Sequence, residues 1–305
     1  MAITRTHPLA ARSLRSAIPR RLYVGLLLIA VAWWSSWSGP ERLGWHSFFP
    51  LWLGYILTVD AIVAMRTSTS IFQRSRRTFA LLFLFSAPLW WGFELANMRL
   101  DNWHYTLPHR YSWLRYHAEA TLAFSTVLPA VLETTELIAS LNRIRRLPRL
   151  RPVLTGAHAI PVCMALGFLM IVAAIAFPEF FFPLLWVGPF FIVDPLNAYR
   201  GQPSLLSQAR RGEWRMIASL AIAGPVCGFF WEMWNSQAMP KWTYSVPHVG
   251  GFKIFEMPAP GYFGYIPFAF ELYAAYHLLA SLAPNRLASA VLAEHPEAQP
   301  HGDRA

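Results

Sequence analysis

Eight apolar runs, each roughly 17 to 22 residues long and parted by short charged segments, constrain this chain more than any other feature. They occupy 22–38, 47–65, 78–97, 118–139, 157–177, 180–198, 215–235 and 262–283. An α-helix rises about 1.5 Å per residue, so about 20 apolar residues cross the hydrocarbon core of a bilayer. A soluble fold is excluded by the remainder of the composition. Charged residues make up 14% and hydrophobic ones 55%, with a mean hydropathy of +0.33, against about 25% charged in a soluble domain. The expectation is an all-α membrane protein with eight transmembrane helices, and the bilayer is its first partner.

Charge placement sets the direction of threading. The chain has 26 Lys and Arg and a formal net charge of +10. With a cytoplasmic N-terminus, Arg5, Arg12, Arg15, Arg20 and Arg21 lie in the inner tail, and Arg66, Arg74, Arg76 and Arg77 in the first inner loop. Arg143, Arg145, Arg146, Arg149 and Arg151 fill the central loop; Arg200, Arg210, Arg211 and Arg215 fill the next; Arg286 and Arg304 end the chain. Only Arg42, Arg99, Arg110, Arg115, Lys241 and Lys253 fall elsewhere. Inner loops carry such an excess, so both termini are expected in the cytoplasm of a bacterial-type cell, with the spans in its inner membrane. The basic residues are then a topology signal with some affinity for anionic lipid, and nucleic acid is not an expected partner. Arg20-Arg21 before an apolar run is how a signal peptide begins, but no small-x-small cleavage site follows, and a retained first helix is expected. Cys163 and Cys227 lie in different apolar runs and read as small buried hydrophobes.

Comparison of the chain with itself reveals a second constraint. Leu51-Trp52-Leu53-Gly54 matches Leu185-Trp186-Val187-Gly188, Val59-Asp60 matches Val193-Asp194, and Arg66 matches Arg200. Phe93-Glu94-x-x-Asn97 matches Trp231-Glu232-x-x-Asn235, and Trp103-x-Tyr105-x-x-Pro108-His109 matches Trp242-x-Tyr244-x-x-Pro247-His248. Glu119 answers Glu256, and Pro129-x-x-x-Glu133 answers Pro267-x-x-x-Glu271. The expected organisation is a basic tail (1–21), a four-helix unit (22–141), a basic linker (142–156), a second four-helix unit (157–283) and a disordered tail (284–305). An even number of crossings per unit makes this a tandem parallel repeat.

The matched acids are the informative residues. A charged side chain inside a membrane helix costs about 2.5–3.5 kcal/mol or more, so drift removes those without a role. Glu94, Asn97, Trp103, Tyr105, His109 and Glu119 gather at the outer mouth of one unit, and Glu232, Asn235, Trp242, Tyr244, His248 and Glu256 at that of the other. Asp60, Glu133, Asp194 and Glu271 sit deeper, where pairing with inner-loop arginines or capping of helix ends is the simplest role for the two Asp. Glu94 is flanked by Trp90, Trp91 and Phe93, and Glu232 by Phe229, Phe230 and Trp231; such surroundings favour a protonated acid.

A protonated carboxyl in an aromatic-walled site can protonate an uncharged, oily substrate, and aromatic faces can stabilise the resulting cation. On that reading Glu94, Glu119, Glu232 and Glu256 are the candidate catalytic acids. Asn97, Trp103, Tyr105, His109, Asn235, Trp242, Tyr244 and His248 are candidate substrate-binding residues. No cofactor or metal is required, although Glu94, His109, Glu232 and His248 could form a mixed oxygen and nitrogen site. The run Trp231-Glu232, Trp242-x-Tyr244, Phe255-Glu256-Met257-Pro258 resembles the integral-membrane lycopene cyclases of carotenoid synthesis. There an acid near a helix end precedes an aromatic loop and a Pro-x-Glu-Glu opening the next helix; here one acid stands in place of two, and Pro follows it. The resemblance implies an isoprenoid cyclase, isomerase or hydratase, with Glu256 and Glu119 as acids and Glu232 and Glu94 as their partners. The competing expectation is a proton- or cation-coupled transporter using Asp60, Glu133, Asp194 and Glu271.

Overall fold

A computed structural model of the chain describes residues 18–39, 44, 46–107, 111–282 and 291–292. The remainder of the two basic and polar tails, and His109, lie outside the described residues. Among the described residues nine longer helices carry the architecture: α1 (Arg20–Trp37), α2 (Phe48–Thr67), α3 (Arg76–Leu100), α4 (Trp113–Phe124), α5 (Val127–Ala139), α6 (Ala159–Ala176), α7 (Gly188–Tyr199), α8 (Arg215–Asn235) and α9 (Tyr265–Leu282). Among the described residues, six segments are long and apolar enough to cross a membrane: α2, α3, Trp113–Ala139 (α4 with α5), α6, Pro178–Tyr199 (which ends in α7) and α8. The chain is a multi-pass α-helical membrane protein. Helices α1 and α9 are 18 residues each and fall short of that mark; α1 opens on Arg20-Arg21, and α9 carries Glu271 and His277.

Two pairs of helices cross closely at glycine. A Cβ on Gly25 of α1 would lie 2.7 Å from the Gly54 carbonyl oxygen of α2, and one on Gly54 would lie 2.8 Å from that of Gly25. A Cβ on Gly167 of α6 would lie 2.7 Å from the Gly188 carbonyl oxygen of α7. Without a hydrophobic drive between helices in lipid, such small-residue contacts let backbones approach and gain dispersion energy. Helix α8 packs on α5 and α9, and α2 packs on α5. Trp52, Trp234, Phe268 and Tyr273 lie fully inside this core. By contrast α6 buries only Cys163, Gly167 and Ala174, as a helix facing lipid does.

The helix expected over 118–139 is broken. Pro129 has no N–H to continue the ladder, and the chain turns at Ser125-Thr126 between α4 and α5. Ser86 of α3 takes over: its hydroxyl donates to the Phe124 carbonyl and accepts from the Leu128 N–H at 2.9 Å. The stretch 253–264, which answers α4 in the sequence comparison, is no α-helix. It forms the strands β3 (Lys253–Ile254) and β4 (Met257–Pro258), then a 3-10 turn (Ala259–Gly264) before α9.

The two Trp-x-Tyr motifs pair with each other. Strands β1 (Trp103–Thr106) and β2 (Lys241–Tyr244) run antiparallel in the register Trp103 to Tyr244, His104 to Thr243, Tyr105 to Trp242 and Thr106 to Lys241. The basic segments meet at the opposite end. There Arg66 donates to Ser140, Arg74 pairs with Glu136, Leu150 N–H bonds the Gly212 carbonyl, and Arg149 pairs with Glu213. The Leu292 N–H donates to Glu136 at the same end, at 2.7 Å.

Candidate functional site

The site is built by two asparagines, two glutamates and the ribbon between them. Asn97, in the last turn of α3, donates from Nδ2 to the Trp103 carbonyl at 2.7 Å and accepts the Asn102 N–H at 2.9 Å. Asn235, which ends α8, donates to the Trp242 carbonyl at 2.8 Å and accepts the Trp242 N–H at 2.9 Å. Each amide thus fixes where a strand leaves its helix, and both are spent on backbone, away from the cavity wall.

One helical turn before each Asn sits the Glu. Glu94 Oε1 accepts three hydrogen bonds, from Trp90 Nε1 at 2.9 Å, Trp103 Nε1 at 3.1 Å and Tyr105 OH at 2.6 Å. Glu232 Oε1 accepts two, from Tyr244 OH at 2.7 Å and Tyr265 OH at 2.6 Å, and Trp242 Nε1 donates to Tyr244 OH at 2.8 Å. Glu232 is fully buried, and its Oε2 has no hydrogen-bond partner among the described residues. The strand phenols are tuned to these acids. Burial lifts both Tyr105 and Tyr244 well above the usual phenol range, and the facing Glu94 and Glu232 carboxylates lift them further. Both therefore remain O–H donors.

In front of these donors lies a cavity of about 270 Å³ at the ribbon end of the bundle. Trp103, Tyr105, Trp242 and Tyr244 line it, as do Trp90, Trp231 and Tyr265, with aliphatic cover from Met257 and Pro258 of β4. Its surface is overwhelmingly apolar, and Asn102 Oδ1 is a buried acceptor in its wall without a donor among the described residues. Neither Glu94 nor Glu232 has a basic partner among the described residues, so each reaches the cavity only through an aromatic N–H or O–H.

The other candidates stand apart. Glu119 lies on the exposed side of α4, where Tyr111 and Arg115 donate to it and His46 stands 3.7 Å away. Glu256 occupies the turn between β3 and β4 and pairs with Lys241. His248 is exposed, stacked on Phe180 and 3.8 Å from Glu179. Deeper in the bundle, Asp60 pairs with Arg21 and accepts the Phe72 N–H of the short helix Ile71–Arg74. Asp194 accepts the Leu205 and Leu206 N–H groups of Leu205–Arg210, each at 2.8 Å. These two Asp are helix caps. Among the described residues no three His, Cys, Asp or Glu side chains gather as metal ligands.

Sequence reasoning took Trp90 only as apolar surroundings for Glu94 and assigned no role to Tyr265. The signal for Trp90 was its position four residues before Glu94, one helical turn away. That for Tyr265 was the Gly224-x-x-x-Gly228 pair on α8. A Cβ on Gly228 would lie 2.2 Å from the Tyr265 ring, so this glycine is the seat of that side chain. No protein-family model, no curated protein and no solved structure matches the chain.

Proposed function

We propose that this chain is an inner-membrane enzyme that binds a lipidic, isoprenoid-like substrate in the aromatic cavity and acts on it by carboxylic-acid catalysis. Glu232 is the proton source and Glu94 the fixed counter-charge. The observation that carries the reading is the unequal coordination of two acids at matched positions. Glu94 Oε1 collects three donors, the surroundings of an acceptor-only carboxylate. Glu232 keeps one buried oxygen free, where a proton can reside, and hands it on through Tyr265 or Tyr244, which line the cavity. Two carboxyls with two environments then divide the work of acid and stabiliser. The resemblance to membrane lycopene cyclases points to the same substrate class. Glu119 and Glu256, on the rim, are secondary candidates.

Eight crossings in two parallel four-helix units, with both termini cytoplasmic, complete the proposal. The mirrored Asn clamps, Asp caps and glycine crossings support the repeat. So does the ribbon register, in which each Trp of one motif faces the Tyr of the other about a twofold axis.

The test is Glu→Gln at 94, 119, 232 and 256, scoring protein level separately from products in lipid extracts of an expressing strain. The Gln side chain keeps shape and hydrogen bonding, so Glu232→Gln is expected to accumulate normally and lose about 10²–10⁴-fold in product formation. Four variants with wild-type turnover would end the acid mechanism. The transporter reading has one observation of its own: Glu133 is fully buried with both carboxyl oxygens unpartnered among the described residues. If Glu133→Gln abolishes proton-linked uptake or efflux while the outer Glu variants do nothing, that reading replaces the enzyme.

A further inference from the structure

The basic end of the bundle holds a second cavity, of about 170 Å³, walled by Cys163 of α6, Phe190 and Phe191 of α7, Ile217 of α8 and Phe270 of α9. It follows α7 from Phe190 to Pro195, about 8 Å of helix at 1.5 Å per residue, and ends at Leu154 and Ala209. It thus extends along the helices, the direction an acyl chain takes in a leaflet. Its surface is almost wholly apolar. Asp194 reaches the wall but spends both oxygens on the Leu205 and Leu206 N–H groups. The sequence-matched Asp60 is met instead by Arg21, whose guanidinium also lies over the Phe72 ring at 5.4 Å. Asp194 has no basic partner among the described residues, and the space beside it is left to the cavity.

The mouth of this slot is basic. Leu150 N–H bonds the Gly212 carbonyl at 2.9 Å and Val153 N–H bonds the Ala209 carbonyl at 3.2 Å, so 150–153 runs antiparallel beside 209–212. That pairing sets Arg149 and Arg151 against Arg210 and Arg211, next to the cavity residues Leu154 and Ala209. Glu213 is shared between Arg149, at 3.0 Å, and Arg211, at 2.8 Å. Arg151 and Arg210 have no carboxylate partner among the described residues, and Leu154 is exposed. An apolar slot that opens beside unneutralised arginines is complementary to an anion carried on an oily chain.

We infer that this slot is a binding site for an anionic phospholipid, with one acyl chain along α7 and the phosphate at Arg151 and Arg210. It is a single seat, distinct from the diffuse attraction of basic loops for an anionic surface. It lies at the opposite end of the bundle from the aromatic cavity and does not depend on the chemistry proposed there. A free phosphate leaves the slot empty. A zwitterionic lipid fills it but brings its own cation to the arginines, and a cationic amphiphile is repelled at the mouth.

The experiment supplies the full-length protein, in maltoside micelles, with equal amounts of dioleoylphosphatidylglycerol and dioleoylphosphatidylcholine and counts retained lipids by native mass spectrometry. One phosphatidylglycerol is expected to be held about tenfold or more in preference, as two arginines at one phosphate allow. Arg151→Gln with Arg210→Gln should remove most of that preference. Arg143→Gln with Arg145→Gln, an equal loss of charge on exposed residues of the same linker, should leave it in place. Ile217→Trp, which fills the slot, should weaken the retention of both lipids. If that variant does not fold, glycerol 3-phosphate decides the role of the chain, since a headgroup alone in large excess should not displace the bound lipid. Equal retention of the two lipids, equal losses from the two arginine pairs, unchanged retention by a folded Ile217→Trp protein, or displacement by glycerol 3-phosphate would each overturn the inference.

Discussion

Residue by residue, the two carboxyl sites differ at one decisive position. Four residues before the acid, α3 carries Trp90 and α8 carries Gly228. The indole fills its own site and donates to Glu94, whereas the glycine makes room for a phenol from α9 to reach Glu232. Because a Cβ at 228 would lie 2.2 Å from the Tyr265 ring, Gly228→Ala must displace that side chain. We expect Gly228→Ala to lower product formation by roughly the 10²-fold typical of a lost proton-transfer partner. Tyr265→Phe should do the same, and the double variant should be no worse than either, since both remove one interaction. Additive losses would mean that Gly228 acts elsewhere.

At the scale of elements, the helix broken between α4 and α5 shows how an interrupted backbone is kept inside an apolar bundle. Ser86 satisfies a carbonyl and an N–H that the break at Ser125-Thr126 would otherwise leave bare. A buried polar group without a partner costs about 1–3 kcal/mol. Ser86→Ala is therefore expected to lower the thermal midpoint in detergent clearly. Ser125→Ala, which loses only a local bond to the Leu122 carbonyl, should change it little. Equal effects would show that the break is satisfied in another way. The short helices after α2 and α7 follow the same economy, since Asp60 and Asp194 reach from the preceding helix to cap their first turns. A buried acid there completes a backbone, which is why its presence alone did not mark a catalytic site.

At the scale of the whole molecule, the bundle has two chemically distinct ends. Arginines and their carboxylate or hydroxyl partners knit one end together; an aromatic ribbon over an apolar cavity closes the other. If the basic end is cytoplasmic, the cavity lies at the outer leaflet, where a lipidic ligand can enter from the membrane. Reporter fusions after residues 68 and 147 are then expected to read inside, and those after 106 and 250 outside. An outside reading at 147 would invert the second unit relative to the first and remove the parallel repeat. In that case β1 and β2 could not share one membrane face, and the cavity between them could not form.

The sequence by itself determined the environment and the cast of residues. Hydropathy at the scale of 20 residues is a local sum, so the apolar runs, the basic loops and the helical class were legible without coordinates. The matched Glu and Asn were legible as well, because a charge at membrane depth is costly enough to stand out. What those residues touch was decided by the tertiary structure. Nothing local pairs Trp103 with Tyr244 across the chain; two short strands with open backbone groups meet because α3 and α8 deliver them to the same place. Likewise Glu119 and Glu256 look equivalent in sequence, yet one lies on a helix and the other in a hairpin turn, because α4 has no helical counterpart. The helix-borne donor comes from Trp90 of α3 at Glu94 and from Tyr265 of α9 at Glu232, a trade of volume between neighbouring helices. Packing of that kind depends on which side chains share a space, and a linear pattern carries no record of it.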